Sequence, residues 1–211
     1  MRDIFRVIAI ACLASIAVVF ATLWEPSASK PVAQQPTQPQ TVNSMVRVNV
    51  PNGHGSGVHI GHGFIVTAAH VVTDLKEVEV IDRAGKTHKG VVLWANTVYD
   101  VALVRVEDAD GIGASPLSCS VPVIGQEVAA AGNPGPLEFS YVWGRVASEP
   151  GQRAFWRVSV VISIAVAGGM SGGPVYDTQG HVVGIVVGGL SGSSFAVIVP
   201  GATVCMVMGA A

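Results

Sequence analysis

Charge is scarce in this sequence: Asp, Glu, Lys and Arg make up 12% of its 211 residues, and the formal net charge is −2. No block of Lys or Arg occurs, so a surface that tracks nucleic-acid phosphates is excluded. Aromatic residues are also few, at 6%. No long amphipathic helix pattern is visible, which removes helical bundles from consideration. What is abundant is apolar residues, at 50%, and glycine, with 25 copies. β-branched apolar runs punctuated by glycine turns predict an all-β domain, and the chain is long enough for one compact core plus an appendage.

The appendage is N-terminal. Residues 7–24, VIAIACLASIAVVFATLW, run without a charge behind Arg2 and Arg6. That length suits a membrane-spanning helix better than a signal-peptide core, and no Ala-x-Ala cleavage site follows. The segment reads as an uncleaved anchor with Trp24 at the interface; a cleaved signal peptide, giving a secreted protein, is the alternative. The two arginines place the N-terminus on the cytoplasmic side and the domain outside the membrane. Cys12 reads as a lipid-facing apolar residue. Residues 25–42 hold four prolines and little that is apolar, and form a semi-extended linker. An extracytoplasmic domain permits a disulfide between Cys119 and Cys205, with two buried thiols as the alternative.

From residue 43 to residue 211 the chain forms one folded domain. Strand-like runs occur at 46–50, 57–60, 63–69, 77–81, 89–96 and 101–106, then at 127–133, 140–148, 156–163, 173–177, 181–189 and 194–199. Six runs, a connector and six more predict two six-stranded antiparallel barrels, about 43–110 and 121–205, with a cleft between them. Short helical turns are expected at 69–73 and 200–211. Chemistry in the cleft would draw on loops from both halves.

Three segments carry candidate chemistry. TAAH (67–70) ends an apolar strand, YDVALVRV (99–106) opens on Asp100, and AGGMSGGPV (167–175) sets Ser171 among glycines. A serine hydroxyl needs a base, and the base needs an orienting acid. His70 fits the first role and Asp100 the second. The glycines let the Gly169 and Ser171 N–H groups converge on a developing oxyanion. Gly169–Gly173 also reads Gly-x-Ser-x-Gly, the nucleophile elbow of α/β-hydrolases. Asp177 and His181 follow in that fold's order, but only ten positions separate Ser171 from His181 and the helices that fold needs are missing. The order His70, Asp100, Ser171 is the chymotrypsin order.

GSGVHIGHGFIVTAAHVV, YDVALVRV, AAGNPGP, VWGRVAS and GGMSGGPVYDTQGHVVGIVVGG together resemble the trypsin-like serine peptidases, and among them the bacterial Deg-type branch. The likeness covers about residues 44–200. It implies a double barrel, peptide-bond hydrolysis on polypeptide substrates and no cofactor. It also implies a triad of His70, Asp100 and Ser171, with an oxyanion hole at Gly169 and Ser171. By the same similarity, the primary substrate pocket is framed by Ala165, Val187, Gly188 and Gly189. Without an acid there, cleavage after small or medium apolar residues is expected, and cleavage after Lys or Arg is not. Met170 stands where many animal members carry an Asp that pairs with a new N-terminus. The peptide-binding module that often follows Deg-type domains is not in this sequence.

Other residues have plainer readings. His54, His59 and His62 have no acid between residues 51 and 73 to complete a metal site, so they read as a surface hairpin. Trp94, Trp143 and Trp156 read as core or rim. Two adjacent glycines, Gly168 and Gly169, leave the oxyanion peptide free to flip, and the expectation that follows is a latent resting state. The rival functions are a non-catalytic peptide-binding module, a self-processing regulatory protease and, more weakly, an esterase.

Overall fold

A computed structural model describes residues 43–190 and 192–209. The anchor and linker readings for residues 1–42 lie outside the described residues. Among those described, no helix is long and apolar enough to cross a membrane.

Six strands form the first half: β1 (Met45–Val50), β2 (Gly53–Gly61), β3 (Phe64–Thr67), β4 (Glu77–Ile81), β5 (Thr87–Asn96) and β6 (Val101–Val106). They close into a barrel in the order β1-β2-β3-β6-β5-β4. Alternation drives the closure: β4 and the start of β5 present every second residue inward, a period of two that seats one face on the core. Val46, Val48, Ile65, Val80, Ala102 and Val104 fill the interior with no exposed surface.

The second half differs from a plain six-stranded barrel. Its strands are β7 (Glu127–Gly132), β8 (Ser140–Arg145), β9 (Gly151–Arg153), β10 (Trp156–Ile162), β11 (Pro174–Tyr176), β12 (Val182–Gly189) and β13 (Ala196–Pro200). They form a seven-stranded sheet ordered β8-β7-β11-β12-β13-β10-β9. The extra strand, β9, hairpins onto β10. The sheet still curls on itself: Val146 bridges Ile162, Ser163 N–H donates to Arg145 O at 2.8 Å, and Ala147 N–H to Val161 O at 2.8 Å.

Strand β13 is buried along its whole length, and β12 over its first six residues. Both faces are covered because one packs inside the curled sheet and the other against the first barrel. Val183 and Val186 belong to the inner cluster, whereas Ile185 and Val187 pack with Met45, Val58, Val66 and Leu103 of the barrel. Val186 and Val187 are adjacent, so the pleat of the strand sends them to opposite sides. Met170 is buried in the inner cluster, an apolar anchor for its loop.

Two short helices complete the fold: α1 (Ala69–Val72) follows β3, and α2 (Gly201–Gly209) ends the described chain. Cys119, in the connector between the halves, is joined by a disulfide to Cys205 of α2, with Cα atoms 5.6 Å apart. The connector is also tied down by His59. Its Nδ1 faces the carbonyls of Ile112 (3.1 Å) and Gly113 (2.9 Å), and its Nε2 accepts the Gly63 N–H at 3.0 Å. His59 is therefore a buried structural histidine in one tautomer and not part of a surface hairpin.

Candidate active site

His70 sits in α1, one turn after β3 delivers the chain to the rim of the barrel. Asp100 precedes β6, the strand that pairs with β3. Pairing of Thr67 with Ala102 brings the two segments together, and the side chains meet there. His70 Nδ1 lies 2.8 Å from Asp100 Oδ2 and 3.0 Å from Oδ1, and the His70 backbone N–H donates to Oδ1 at 3.0 Å. A carboxylate only accepts, so the ring proton belongs on Nδ1 and Nε2 is left as the basic nitrogen. Nε2 has no hydrogen-bond partner among the described residues. Asp100 itself has a φ of +58°, a left-handed conformation that Asp tolerates better than most residues. Its bonds to His70 hold it there.

A third donor reaches this carboxylate. Trp156 Nε1 donates to Asp100 Oδ2 at 3.3 Å, and its ring lies over the space a side chain at Gly188 would fill. Burial pushes the Asp100 carboxyl up, but hydrogen bonds from His70, the charge of that ring and the bond from Trp156 outweigh it. The net effect is a carboxyl below its ordinary range, ionised at neutral pH. Asp100 is mostly covered, with 13% of its side chain exposed, while His70 is open at 47%. A covered acid behind an accessible imidazole is the arrangement that lets the ring exchange protons with a bound molecule. Trp156, read from sequence as core or rim, thus also touches the acid. No local pattern in the sequence points to this, because the two residues lie 56 positions apart.

Ser171 is on the loop between β10 and β11, and that loop presses against the first barrel. Ser56 N–H donates to Ser171 O at 2.8 Å. A side chain on Gly55 would meet both Val71 of α1, at 2.7 Å, and Ser171 O, at 3.0 Å. Gly172 has a φ of +81°, and a side chain there would collide with Ser56 O and Thr67 Oγ1 and come within 2.8 Å of Ala68 N. Only glycine fits such a position. These contacts bring the Ser171 segment to the end of β3, where α1 begins. Among the described residues the Ser171 hydroxyl makes no hydrogen bond, and neither the Gly169 nor the Ser171 N–H has a partner. Gly168 O accepts from Gly135 N–H at 3.0 Å, so the peptide that two glycines leave free is tied down.

Two cavities of about 340 Å³ each flank the site. One is lined by Val166, Ala167, Gly168, Ser171, Val186, Gly188, Gly189, Leu190, Gly192, Ser193 and Phe195. The other is lined by His70, Asp100, Thr73, Thr97, Phe155, Trp156 and Val187. Of the four pocket residues expected from sequence, Gly188 and Gly189 line the serine-side cavity. Ala165 does not: its neighbour Ile164 turns into the core, so Ala165 faces solvent and Val166 takes the wall. Val187 lines the histidine-side cavity, because it alternates along β12 with Val186 and Gly188 of the serine-side one. His54 lies on β2 with Nε2 2.8 Å from Asn133 O, and His62 is exposed in a turn. No group of metal-ligating side chains occurs among the described residues.

Residues 55–185 match the trypsin-like peptidase domain. The chain belongs to the trypsin-like peptidase family. The mitochondrial serine protease HTRA2 of Bos taurus is 34% identical over 159 residues, covering 70% of this chain and 34% of that protein. A probable periplasmic DegP-like serine endoprotease of Halomonas elongata is 35% identical over 153 residues, covering 68% of this chain and 32% of that protein. The chain therefore spans about a third of the length of these curated relatives. Two solved structures share the trypsin-like fold with a TM-score of 0.71 over 81% of this chain. They are the serine endoprotease from Yersinia pestis, at 24% identity with 63% of that chain covered, and the Rv3671c protease in an inactive form, at 23% identity with 89% covered.

Proposed function

We propose that the domain is a serine endopeptidase working through an acyl-enzyme on Ser171. The observation that carries this reading is the His70–Asp100 pair, whose geometry puts the proton of the neutral imidazole on Nδ1 and leaves Nε2 to act as the base. In the proposed reaction Ser171 Oγ attacks the scissile carbonyl carbon while Nε2 takes the hydroxyl proton. Asp100 stabilises the resulting imidazolium. The carbonyl oxygen becomes an oxyanion and accepts from the Gly169 and Ser171 N–H groups, which have no competing partner among the described residues. Collapse of this intermediate breaks the C–N bond, and the imidazolium gives its proton to the leaving amine. Water, deprotonated by Nε2, then attacks the acyl carbon; the bond to Ser171 Oγ breaks and the imidazolium returns its proton to that oxygen.

The serine-side cavity supports an apolar residue before the cut, since Val166, Leu190 and Phe195 line it and no carboxylate does. The disulfide and the periplasmic DegP-like relatives support an extracytoplasmic location. In that setting residues 7–24 would anchor the chain in the membrane. A peptide-library digest tests the activity: cuts should follow residues of Ala to Leu size and none should follow Lys or Arg. Selectivity within the apolar set should be modest, because one methylene is worth about 1–3 kcal/mol. Retention of library peptides without any cleavage would favour a non-catalytic peptide-binding module.

A further inference from the structure

Strand β2 of the first barrel reaches across to the second half and takes hold of the oxyanion loop. Ser56 Oγ donates to Gly169 O at 2.7 Å. The same oxygen receives the Asn133 backbone N–H at 2.9 Å and Asn133 Nδ2 at 3.0 Å. We propose that Ser56 is a positioning residue for the oxyanion hole, its hydroxyl aimed at the Gly169 carbonyl by Asn133. This inference rests on the peptidase reading above.

The aim follows from counting. A hydroxyl has one proton and two lone pairs. Both Asn133 groups can only donate, so they occupy the lone pairs and leave the proton for Gly169 O. Ser56 and Asn133 have no exposed surface, so water does not substitute for either partner. Asn133 cannot turn over, because Nδ2 also donates to Val46 O at 3.2 Å and Oδ1 accepts the Phe139 N–H at 3.0 Å. Its carbonyl accepts from His54 Nε2 at 2.8 Å, and that carbonyl and ring fill the space where a Gly169 side chain would go.

The consequence is a hole assembled from both halves of the molecule. Gly169 is held from two sides, by Gly135 N–H on the preceding carbonyl and by Ser56 Oγ on its own. Rotating the Gly168–Gly169 peptide would break the Gly135–Gly168 hydrogen bond and pull against the part-buried Ser56–Gly169 bond, losses that the flexibility of two glycines does not replace. Ser56 touches no substrate in this scheme; it acts through Gly169.

The test uses the full chain and compares Ser56→Ala with Ser56→Thr, which keeps the hydroxyl. Losing the aim of one oxyanion donor should lower kcat of Ser56→Ala by about 10²-fold with little change in KM. The affinity of a peptidyl trifluoromethyl ketone, whose adduct with Ser171 places an oxyanion in the hole, should fall in parallel. The affinity of a product peptide should not move, and Ser56→Thr should recover most of the loss. If Ser56→Ala does not fold, Ser56→Cys keeps the volume with a weaker donor and is measured the same way. Unchanged kcat and ketone affinity in a folded variant, or equal losses with and without the hydroxyl, would overturn the role of Ser56 alone. A wild-type protein that neither cleaves peptides nor binds the ketone would overturn the peptidase reading and this role with it.

Discussion

Asp100→Asn is expected to lower kcat by about 10⁴-fold while leaving KM and the fold nearly unchanged. The geometry gives the reason. Oδ1 of Asp100 accepts two N–H groups of His70, from the backbone and the ring, and Oδ2 faces the ring and the Trp156 N–H. An asparagine has one oxygen to share among these donors. With that oxygen toward the backbone N–H, its NH₂ group points at Nδ1. Nδ1 must then become the acceptor, and the proton moves to Nε2. An imidazole in that tautomer cannot take the Ser171 proton. The charge that would stabilise the imidazolium is lost as well. Steady-state kinetics on a peptide found in the library digest checks this, with thermal unfolding as a control for the fold. A loss below tenfold would mean that Asp100 is only a turn residue at the head of β6.

The second large effect concerns stability. Opening the Cys119–Cys205 bond should cost roughly 4–5 kcal/mol, because it closes a loop of 86 residues' separation in the unfolded chain. That is a large share of the ~5–15 kcal/mol that holds a typical domain together. The bond fastens α2 to the connector between the halves, alongside the Ala202 N–H to Ser120 O bond at 3.0 Å. Its loss should therefore loosen the junction as well as the unfolded-state constraint. Urea unfolding of the Cys119→Ala/Cys205→Ala variant against the oxidised protein reads the difference directly. A change below about 1 kcal/mol would show that native packing, and not the cross-link, fixes α2.

The two-half organisation was legible because its strands bury themselves by simple rules. EVEVI alternates, and it forms β4 over the expected residues; VALVRV forms β6 likewise. Strand β9 was not legible. Its three residues, GQR, carry no apolar pattern, and they are held by the β10 hairpin and by Arg153, whose guanidinium donates to Ser159 O at 2.6 Å. The site divides in the same way. His70 and Asp100 stand out from sequence because their chemistry is local to short motifs, and the structure brings these two together. Contacts set by tertiary register were hidden: Trp156 on Asp100, Ser56 on Gly169, and the outward turn of Ala165. His59 illustrates the limit most simply. Alternation placed it opposite Val58 and Ile60, but only the connector's return across β2 covers it.

The most direct test of the account is labelling of the protein by a fluorophosphonate, with Ser171→Ala as the control. Such a probe reacts with a serine only when a base activates it and an oxyanion site receives the phosphoryl oxygen. The account predicts stoichiometric labelling of the wild-type chain on Ser171 and none of the variant. A folded wild-type protein that stays unlabelled, or a variant that labels equally, would contradict it.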